Sequence, residues 1–436
     1  MVLYNLLSKN ILLKYYKNNC MSQARITFHE NTLANKYFHL YSDKKSSWRM
    51  VKLKDHGDIK VRIGWKNLKQ SEYTESGPYL IAGKHIHDGK INWDLCDHIS
   101  IERYDESPEI ALKENDIIFS KDGTLGNPVI IKNLKEKATI NATMMLIRLK
   151  PDINPNYFFQ ILQSKYFDKF LNNHATKSGI DHILVNDFTN FKFPIISMEK
   201  QKRIATILEV IDKKLEFIEK KYNLFQSYHE YLLKSLFPDY GSDKSCVDDT
   251  ITWNYKPLKD IGVITTGNTP KGTKEEVFDE DGLMWVTAND LGENKYIDDT
   301  KRKLNKSILK KSKIIKEASV FVSCIGIIGK IAINNKDCSC NQQINAITPY
   351  SEYNSEYIYY ALMRYNKLLN SHASQSVTLI LNKSEFSSIK IPVTDIDNQK
   401  RIAEMLSLVD DKLNLLKRKN ELVKRYKKLL FDELVI

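Results

Sequence analysis

At 436 residues the chain is too long for one ordinary domain and suits two or three. Hydrophobic residues make up 42% and charged residues 28%, which excludes a disordered chain, and no apolar run approaches the roughly 18 residues that a membrane span needs. Lys and Arg outnumber Asp and Glu by 66 to 54, a net charge of +12 that favours a polyanion through counterion release, although the same charge also keeps a chain of this length soluble.

The N-terminus begins with Val2-Leu3-Tyr4-Asn5-Leu6-Leu7, broken by Ser8, Lys9 and Asn10, and offers no small-residue cleavage site for secretion. Residues before Met21 are expected to form a loosely packed extension from an upstream start codon, within an N-terminal segment 1–47. The six cysteines (Cys20, Cys96, Cys246, Cys324, Cys338, Cys340) have no C-x-x-C spacing and read as reduced thiols of a cytoplasmic protein. Neither Cys338-Ser339-Cys340 nor His85-Ile86-His87 completes a metal site, and the two histidines read as surface residues.

A first mixed domain is expected over 48–196, with short strands at Pro78–Gly83 and Asp116–Ser120 and a glycine turn at Gly123-Thr124-Leu125-Gly126. A helix follows at Asn156–Leu162. Over 197–237 apolar residues recur in alternating steps of four and three: Ile204, Leu208, Ile211, Leu215, Ile218, then Tyr222, Phe225, His229, Leu232 and Leu236. That is a heptad seam on a helix of roughly 40 residues, about 60 Å long. Phe237-Pro238 ends it and opens a linker over 238–250. A second mixed domain spans 251–393, with strands at Leu283–Thr287 and Ser319–Ser323, a Gly326-x-x-Gly329 turn and a helix at Glu356–Leu362. A second heptad helix occupies 394–436, with Ile402, Leu406, Val409, Leu413 and Leu416 on its seam.

The chain is a duplication. Lys192–Leu215 and Lys390–Leu413 share 11 identities in 24 ungapped positions, including Gln201-Lys-Arg-Ile-Ala205 and Gln399-Lys-Arg-Ile-Ala403. Upstream the match fades to traces: Trp48 and Leu53 with Trp253 and Leu258, the two glycine turns, and Asn141-Ala142 with Asn345-Ala346. A period near 200 residues marks a duplicated domain rather than a solenoid. Two such helices in one chain should pair with each other, in either direction, with antiparallel favoured by the duplication; a dimerisation coil between chains is the plainer alternative. The polar seam residues Asn420, His229 and Lys427 either fix register or mark frayed ends or a partner surface.

Polar loops bracket the strands of both domains. In the first, Lys84, His85, Lys121, Thr124, Lys177 and Ser178 suit phosphates and base edges. In the second, Thr269, Asn289, Asp290, Asn341, Gln342, Gln343, Ser374 and Gln375 do the same, since Asn and Gln can bond adenine in a bidentate way. Phosphate-loop, H-E-x-x-H, G-x-S-x-G and amino-methyltransferase tetrapeptide motifs are missing, in keeping with a protein that directs others and does no chemistry.

Trp253, Leu258-Lys-Asp-Ile261, Thr266-Gly-Asn-Thr-Pro270, Trp285-Val-Thr-Ala-Asn-Asp290 and the two Gln-Lys-Arg-Ile-Ala helix starts together resemble the specificity subunit of type I restriction–modification systems. The resemblance runs from about Trp48 to the end of the chain. It implies an α+β fold: two target-recognition domains separated by a long antiparallel two-helix coiled coil, related by a pseudo-twofold internal duplication. Each domain would read half of a split, asymmetric double-stranded DNA target. The coil would set the gap and dock two methyltransferase subunits, with two restriction (endonuclease/translocase) subunits joining. S-adenosylmethionine, ATP and Mg would belong to those partners and no cofactor to this chain. The first domain departs from the pattern, because no Gly-x-Thr-Pro element follows Gly57-Asp-Ile-Lys60. The rivals are a type IIB-like specificity subunit and a coiled-coil scaffold with two protein-binding heads.

Overall fold

The computed structural model describes residues 48–435 except 63–67, 88, 124, 176–180, 243–244, 246–250, 293, 306–307, 309–312 and 374–378. The N-terminal segment and the candidates Thr124, Lys177, Ser178, Ser374 and Gln375 lie outside the described residues. The chain divides into two compact units, one running to Lys213 and resuming at Arg425, the other spanning Lys214–Lys424. Each unit holds one mixed head and portions of both long helices, Met198–Leu236 and Ile396–Leu434.

In the first unit, a four-stranded antiparallel sheet runs in the order Gly57–Lys60, Met144–Leu149, Ile117–Ser120, Gly126–Ile130. Its two central strands are buried over most of their length, which is why they read as unbroken apolar runs. Tyr73–Ile81 forms a second sheet with Asp97–Ile99 and, in parallel, with Ala138–Ile140. Arg49–Lys52 pairs with Lys192–Ile195, so the start of the head is tied to the strand that leads into the first long helix. A phenylalanine cluster fills the core: Phe119, Phe158, Phe167, Phe188, Phe191 and Phe193 are all buried, with ring centroids 4.6–6.5 Å apart along the chain of contacts.

The second unit repeats the plan with a different interior. Gly262–Thr266, Ile344–Pro349, Val320–Ser323 and Ile331–Asn334 follow the same order, and Tyr296–Ile297 adds a fifth, parallel strand. Phe278–Val286 carries Lys303–Leu304 and Ser339–Cys340 on its flanks. Ile358, Ile389 and Ile391 stand where the first head has Phe158, Phe191 and Phe193, while Tyr357 repeats Tyr157, whose hydroxyl donates to Pro194 O at 3.0 Å. Tyr357, Tyr360 and Tyr365 are buried, and each hydroxyl finds an acceptor: Pro392 O at 2.6 Å, Asp410 Oδ2 at 2.5 Å and Pro238 O at 2.5 Å. The last of these, with the burial of Phe237 against Tyr357 and Trp253, packs the chain just past the first long helix onto this head.

Leu53 N donates to Phe191 O and Leu258 N to Ile389 O, both at 2.9 Å, so the Trp48/Trp253 alignment holds. The glycine turns correspond, with φ of 76° and 93° at Gly123 and Gly126 and 76° and 88° at Gly326 and Gly329. The Asn-Ala pairing is corrected. Asn141 N donates to Ile81 O and its Oδ1 accepts from Thr143 N; Asn341, not Asn345, makes the matching bonds to Val286 O and from Gln343 N. A chance dipeptide identity had masked a length difference in the preceding loop.

The repeated glutamine of the helix starts is an amide clamp. Gln201 Oε1 accepts from Asn154 N at 2.7 Å, and its Nε2 donates to Asp152 O at 3.1 Å and Ile196 O at 2.9 Å. Gln399 does the same with Asn354 N, Glu352 O and Thr394 O at 2.9, 3.3 and 2.7 Å. Both side chains are buried, so each satisfied backbone group avoids a desolvation cost of about 1–3 kcal/mol. The clamp joins three points: the cap of a head helix, the exit of the strand and the first turn of the long helix. Asn154 and Asn354 in turn cap their helices by accepting from Tyr157 N and Tyr357 N.

Along the seam, Ile204, Leu208, Ile211 and Ile218 are buried on the first helix and Leu215 half-buried. On the second, Ile402, Leu406, Val409 and Leu416 are buried and Leu413 half-buried. Two of the three polar seam residues, Lys427 and His229, meet carboxylates. In the first unit Lys427 Nζ lies 2.6 Å from Asp212 Oδ1; in the second His229 Nε2 lies 3.2 Å from Asp410 Oδ1. Going forward from Asp212 to His229 on one helix means going back from Lys427 to Asp410 on the other, by the same number of residues. The helices are therefore antiparallel, and each polar residue faces the aspartate of its own repeat's counterpart.

Candidate nucleic-acid interface

In the second head, five loops are stitched to one another by backbone bonds. Gly267 N donates to Ile344 O and Asn268 N to Cys340 O, at 3.2 and 3.0 Å. Cys324 N donates to Gln343 O, Leu381 N to Cys324 O, and Asn341 N to Val286 O, at 2.7, 2.8 and 3.0 Å. Asn345 sits at the centre: it is buried, its Oδ1 accepts from Thr266, and its Nδ2 donates to Leu381 O at 3.1 Å. The approach is close enough that a side chain at position 267 would place its Cβ 2.2 Å from Asn341 O, which explains the glycine there.

The sequence-selected residues take distinct places on this frame. Thr269, Asn289 and Gln342 are exposed, and Thr269 donates its hydroxyl to Gln342 Oε1. Asp290 turns inward and accepts from Thr287 N at 2.8 Å, holding its loop. Asn341 is buried and bonded to Gln343, so it shapes the turn beneath Gln342.

In the first head, His85 occupies the place of Asp290: its Nδ1 accepts from Ala82 N at 3.1 Å. His85 is only 1% exposed, which corrects the reading of both histidines as surface residues; His87 alone is exposed. Burial lowers the His85 pKa, so the ring is neutral and able to accept. Lys84, the counterpart of Asn289, keeps 63% of its side chain exposed and lies 2.9 Å from Asp97. Lys121 is mostly buried and pairs with Asp122 at 2.5 Å, and His182 also pairs with Asp122. Burial alone would raise the Asp122 carboxyl; hydrogen bonds from Lys121 and His182 overcome it and hold the group below the ordinary aspartate value.

Both heads clamp the glycine turn to the segment after a polar loop. Gly123 N donates to Asp181 O and Ile183 N to Lys121 O, at 2.9 and 3.0 Å. Gly326 N donates to Leu379 O at 3.1 Å, matched by the bond from Leu381 to Cys324. The Lys121 loop thus adjoins the chain leaving the Lys177-Ser178 segment, and the Cys324 turn adjoins the chain leaving Ser374-Gln375. Side-chain chemistry differs at the shared frame, being charged in the first head and aliphatic in the second.

The described cysteines (Cys96, Cys324, Cys338 and Cys340) are buried free thiols. Burial pushes Cys324 and Cys338 up to about 12, so both stay protonated and unreactive. Among the described residues no cluster of three His, Cys, Asp or Glu could hold a metal, and no helix is long and apolar enough to cross a membrane.

The family model described as the type I restriction modification DNA specificity domain matches this sequence twice, over residues 45–225 and 250–425. A relative, the type I restriction enzyme MjaVIII specificity subunit of Methanocaldococcus jannaschii, is 25% identical over 346 residues, covering 75% of this chain and 80% of its own. The crystal structure of a type I restriction–modification system S subunit from M. genitalium overlays with a TM-score of 0.60 at 16% identity, covering 89% of this chain and 96% of that one. A chain from a structure concerned with complex assembly and conformational transition of the type I system overlays at 0.53, also at 16% identity, covering 89% and 97%. These two likenesses show the fold.

Proposed function

Because the chain belongs to the type I restriction modification DNA specificity family, we propose that it is the DNA sequence-specificity subunit of a type I restriction–modification complex. Each head binds one half of a bipartite, asymmetric DNA target, and the paired helices set the gap between the halves. The observation that carries this reading is the pair of equivalent loop frames. Four backbone bonds recur in both, Lys121 N to Thr143 O matching Cys324 N to Gln343 O among them, yet the frames present Lys84 in one head and Asn289 in the other. A common frame with unlike exposed side chains suits two readers of different sequences. Lys84, Lys121, Thr124, Lys177, Ser178, Thr269, Asn289, Gln342, Gln343, Ser374 and Gln375 are the proposed contacts, with His85, Asp290 and Asn341 holding the loops that present them.

The chain carries no catalytic step. Its part is to place the target adenine before a methyltransferase subunit, which flips that base and supplies S-adenosylmethionine. ATP and Mg belong to the restriction subunits, and the complex works in the cytoplasm. Sequencing the methylated bases of a host with and without this gene tests the reading. A gapped, asymmetric methyladenine motif that vanishes with the gene is expected; its persistence in the deletion strain overturns the proposal.

The helices also support docking of two methyltransferase subunits. In the second unit Phe217, Leu224 and Tyr231 recur every seven residues on the first helix, and Leu408, Leu415 and Leu422 on the second, all exposed. Leu224 and Leu422, 68% and 66% exposed, hold equivalent places in the two repeats. Such stripes flank the seam and suit cover by further helices. L224E with L422E is expected to abolish co-purification of the methyltransferase subunit while leaving the circular dichroism spectrum of this chain unchanged. Undiminished co-purification would place the docking surface elsewhere.

A further inference from the structure

Ile327 is the most exposed large apolar side chain among the described residues, at 70%. It is held there by a rigid turn. Ser323 Oγ donates to Ile327 O at 2.6 Å and accepts from Lys330 N at 2.9 Å, and Gly329 N donates to Ser323 O at 3.0 Å. Asn366 Nδ2 donates to Gly329 O at 2.8 Å from the far side. Gly326 and Gly329, with φ of 76° and 88°, allow the chain to double back at both ends of the dipeptide, and nothing lies within 4 Å of where a Cβ on Gly326 would stand. An isoleucine pinned in water by its own backbone loses little further freedom when it meets a surface.

The turn is also part of the stitched frame, through Gly326 N to Leu379 O and Cys324 N to Gln343 O. Its neighbours across that frame include the exposed amide Gln342, and Lys383 is exposed just beyond Leu381. In the first head the equivalent turn bridges Asp122 to His182, whereas here it bridges Ile325 to Ile380. The same backbone thus offers ionised groups in one head and aliphatic ones in the other. Base edges offer one apolar feature in the major groove, the C5-methyl group of thymine.

We propose that Ile327 is a specificity-determining residue of the second head and recognises the C5-methyl group of a thymine in its half-site. The assignment rests on the DNA-reading function above. It requires at least one A·T pair in the half-site read by the second head, and it makes the first head's charged turn blind to that methyl.

Deoxyuridine, which is thymine without the methyl, isolates the contact. The full chain in complex with its methyltransferase subunits is titrated against duplexes carrying the methylated motif, with each thymine replaced in turn. One replacement in one half-site is expected to weaken binding about fourfold, the cost of one exposed methyl. The I327A complex is expected to bind thymine and deoxyuridine equally there and to keep its full preference for the other half-site, which also reports that the variant is folded. Wild-type binding indifferent to every deoxyuridine, or an I327A complex with the same penalty as wild type, overturns the assignment and leaves the function standing. Wild-type complex with no sequence preference at all overturns both. If I327A fails to assemble, I327S at the same exposed position takes its place in the titration, and wild-type indifference to every deoxyuridine overturns the assignment without any variant.

Discussion

Inserting one heptad into each long helix is expected to lengthen the gap in the methylated motif by about three base pairs, with both half-sites unchanged. The insertions go between Glu219 and Lys220 and between Lys419 and Asn420, which the Asp212–Lys427 and His229–Asp410 pairs set opposite each other. Seven residues at 1.5 Å rise add about 10 Å, and DNA rises 3.4 Å per base pair. A heptad preserves the phase of the seam, so the apolar stripe stays facing its partner. Insertion into one helix only should unfold part of the pair, because Ile218 and Leu416 would then meet the wrong neighbours. Sequencing methylated bases in a host carrying each variant reads the outcome. Altered half-sites with an unchanged gap would end the idea that the helices measure distance.

Asp410 and Asp212 stand at the same place in the two repeats, yet their loss is expected to cost very different amounts. Asp410 accepts from the buried Tyr360 hydroxyl at 2.5 Å and faces His229 at 3.2 Å. Burial raises its carboxyl above the ordinary aspartate value, opposed by the Tyr360 bond and the nearby charges of His229 and Lys295. Close by, Glu356 accepts from Tyr296, Ser407 and Lys295, which ties a loop and a helix of the head to the second long helix. Removing Asp410 takes the Tyr360 hydroxyl's shortest partner, leaving Ser407 Oγ at 3.3 Å, and takes the carboxylate that faces the largely buried His229 ring, at about 3 kcal/mol for D410A. Asp212 meets Lys427 and Gln160 with a third of its side chain in water, so D212A should cost about 1 kcal/mol or less. A thermal melt of the full chain is expected to fall about 6–12 °C for the first and about 2–4 °C for the second. D410N, which still accepts from Tyr360, should fall in between. Equal shifts for D410A and D212A would show that burial of the second pair contributes nothing.

Periodicity made the helices legible. Steps of four and three residues from Ile204 to Leu236 need no tertiary context, and the ungapped repeat at Lys390–Leu413 doubled the signal. The central strands were legible for a similar reason, since Ile117–Ser120 and Val320–Ser323 are buried on both faces and therefore unbroken in apolar character. The loops were legible in composition but not in role. Lys84-His85 and Asn289-Asp290 were both selected as polar pairs, but only the geometry shows that the first member of each faces water and the second holds the turn. Asn141 was aligned with Asn345 because identity was the only guide, whereas hydrogen bonding pairs it with Asn341. Gln201 and Gln399 mark the duplication in sequence, but two of the three backbone groups that each satisfies lie 45–49 residues away in the chain. Ile327 is illegible in sequence, because an isoleucine between glycines reads as core until its surroundings are known.

The first unit is discontinuous: it needs the chain up to Lys213 and then the chain from Arg425 onward, where Phe431 and Val435 are buried. The second unit is one unbroken stretch. On the ribosome, then, the head made first must wait for the last residues made. More than 200 residues separate the two parts, which is about 10–40 s of synthesis at about 5–20 residues per second. Throughout that interval Ile204, Leu208 and Ile211 have no helix to meet, while the second unit can already close around its own segments. The nascent chain is expected to mature from the middle outward, with the earliest-synthesised head the last to be completed and the one most dependent on chaperones.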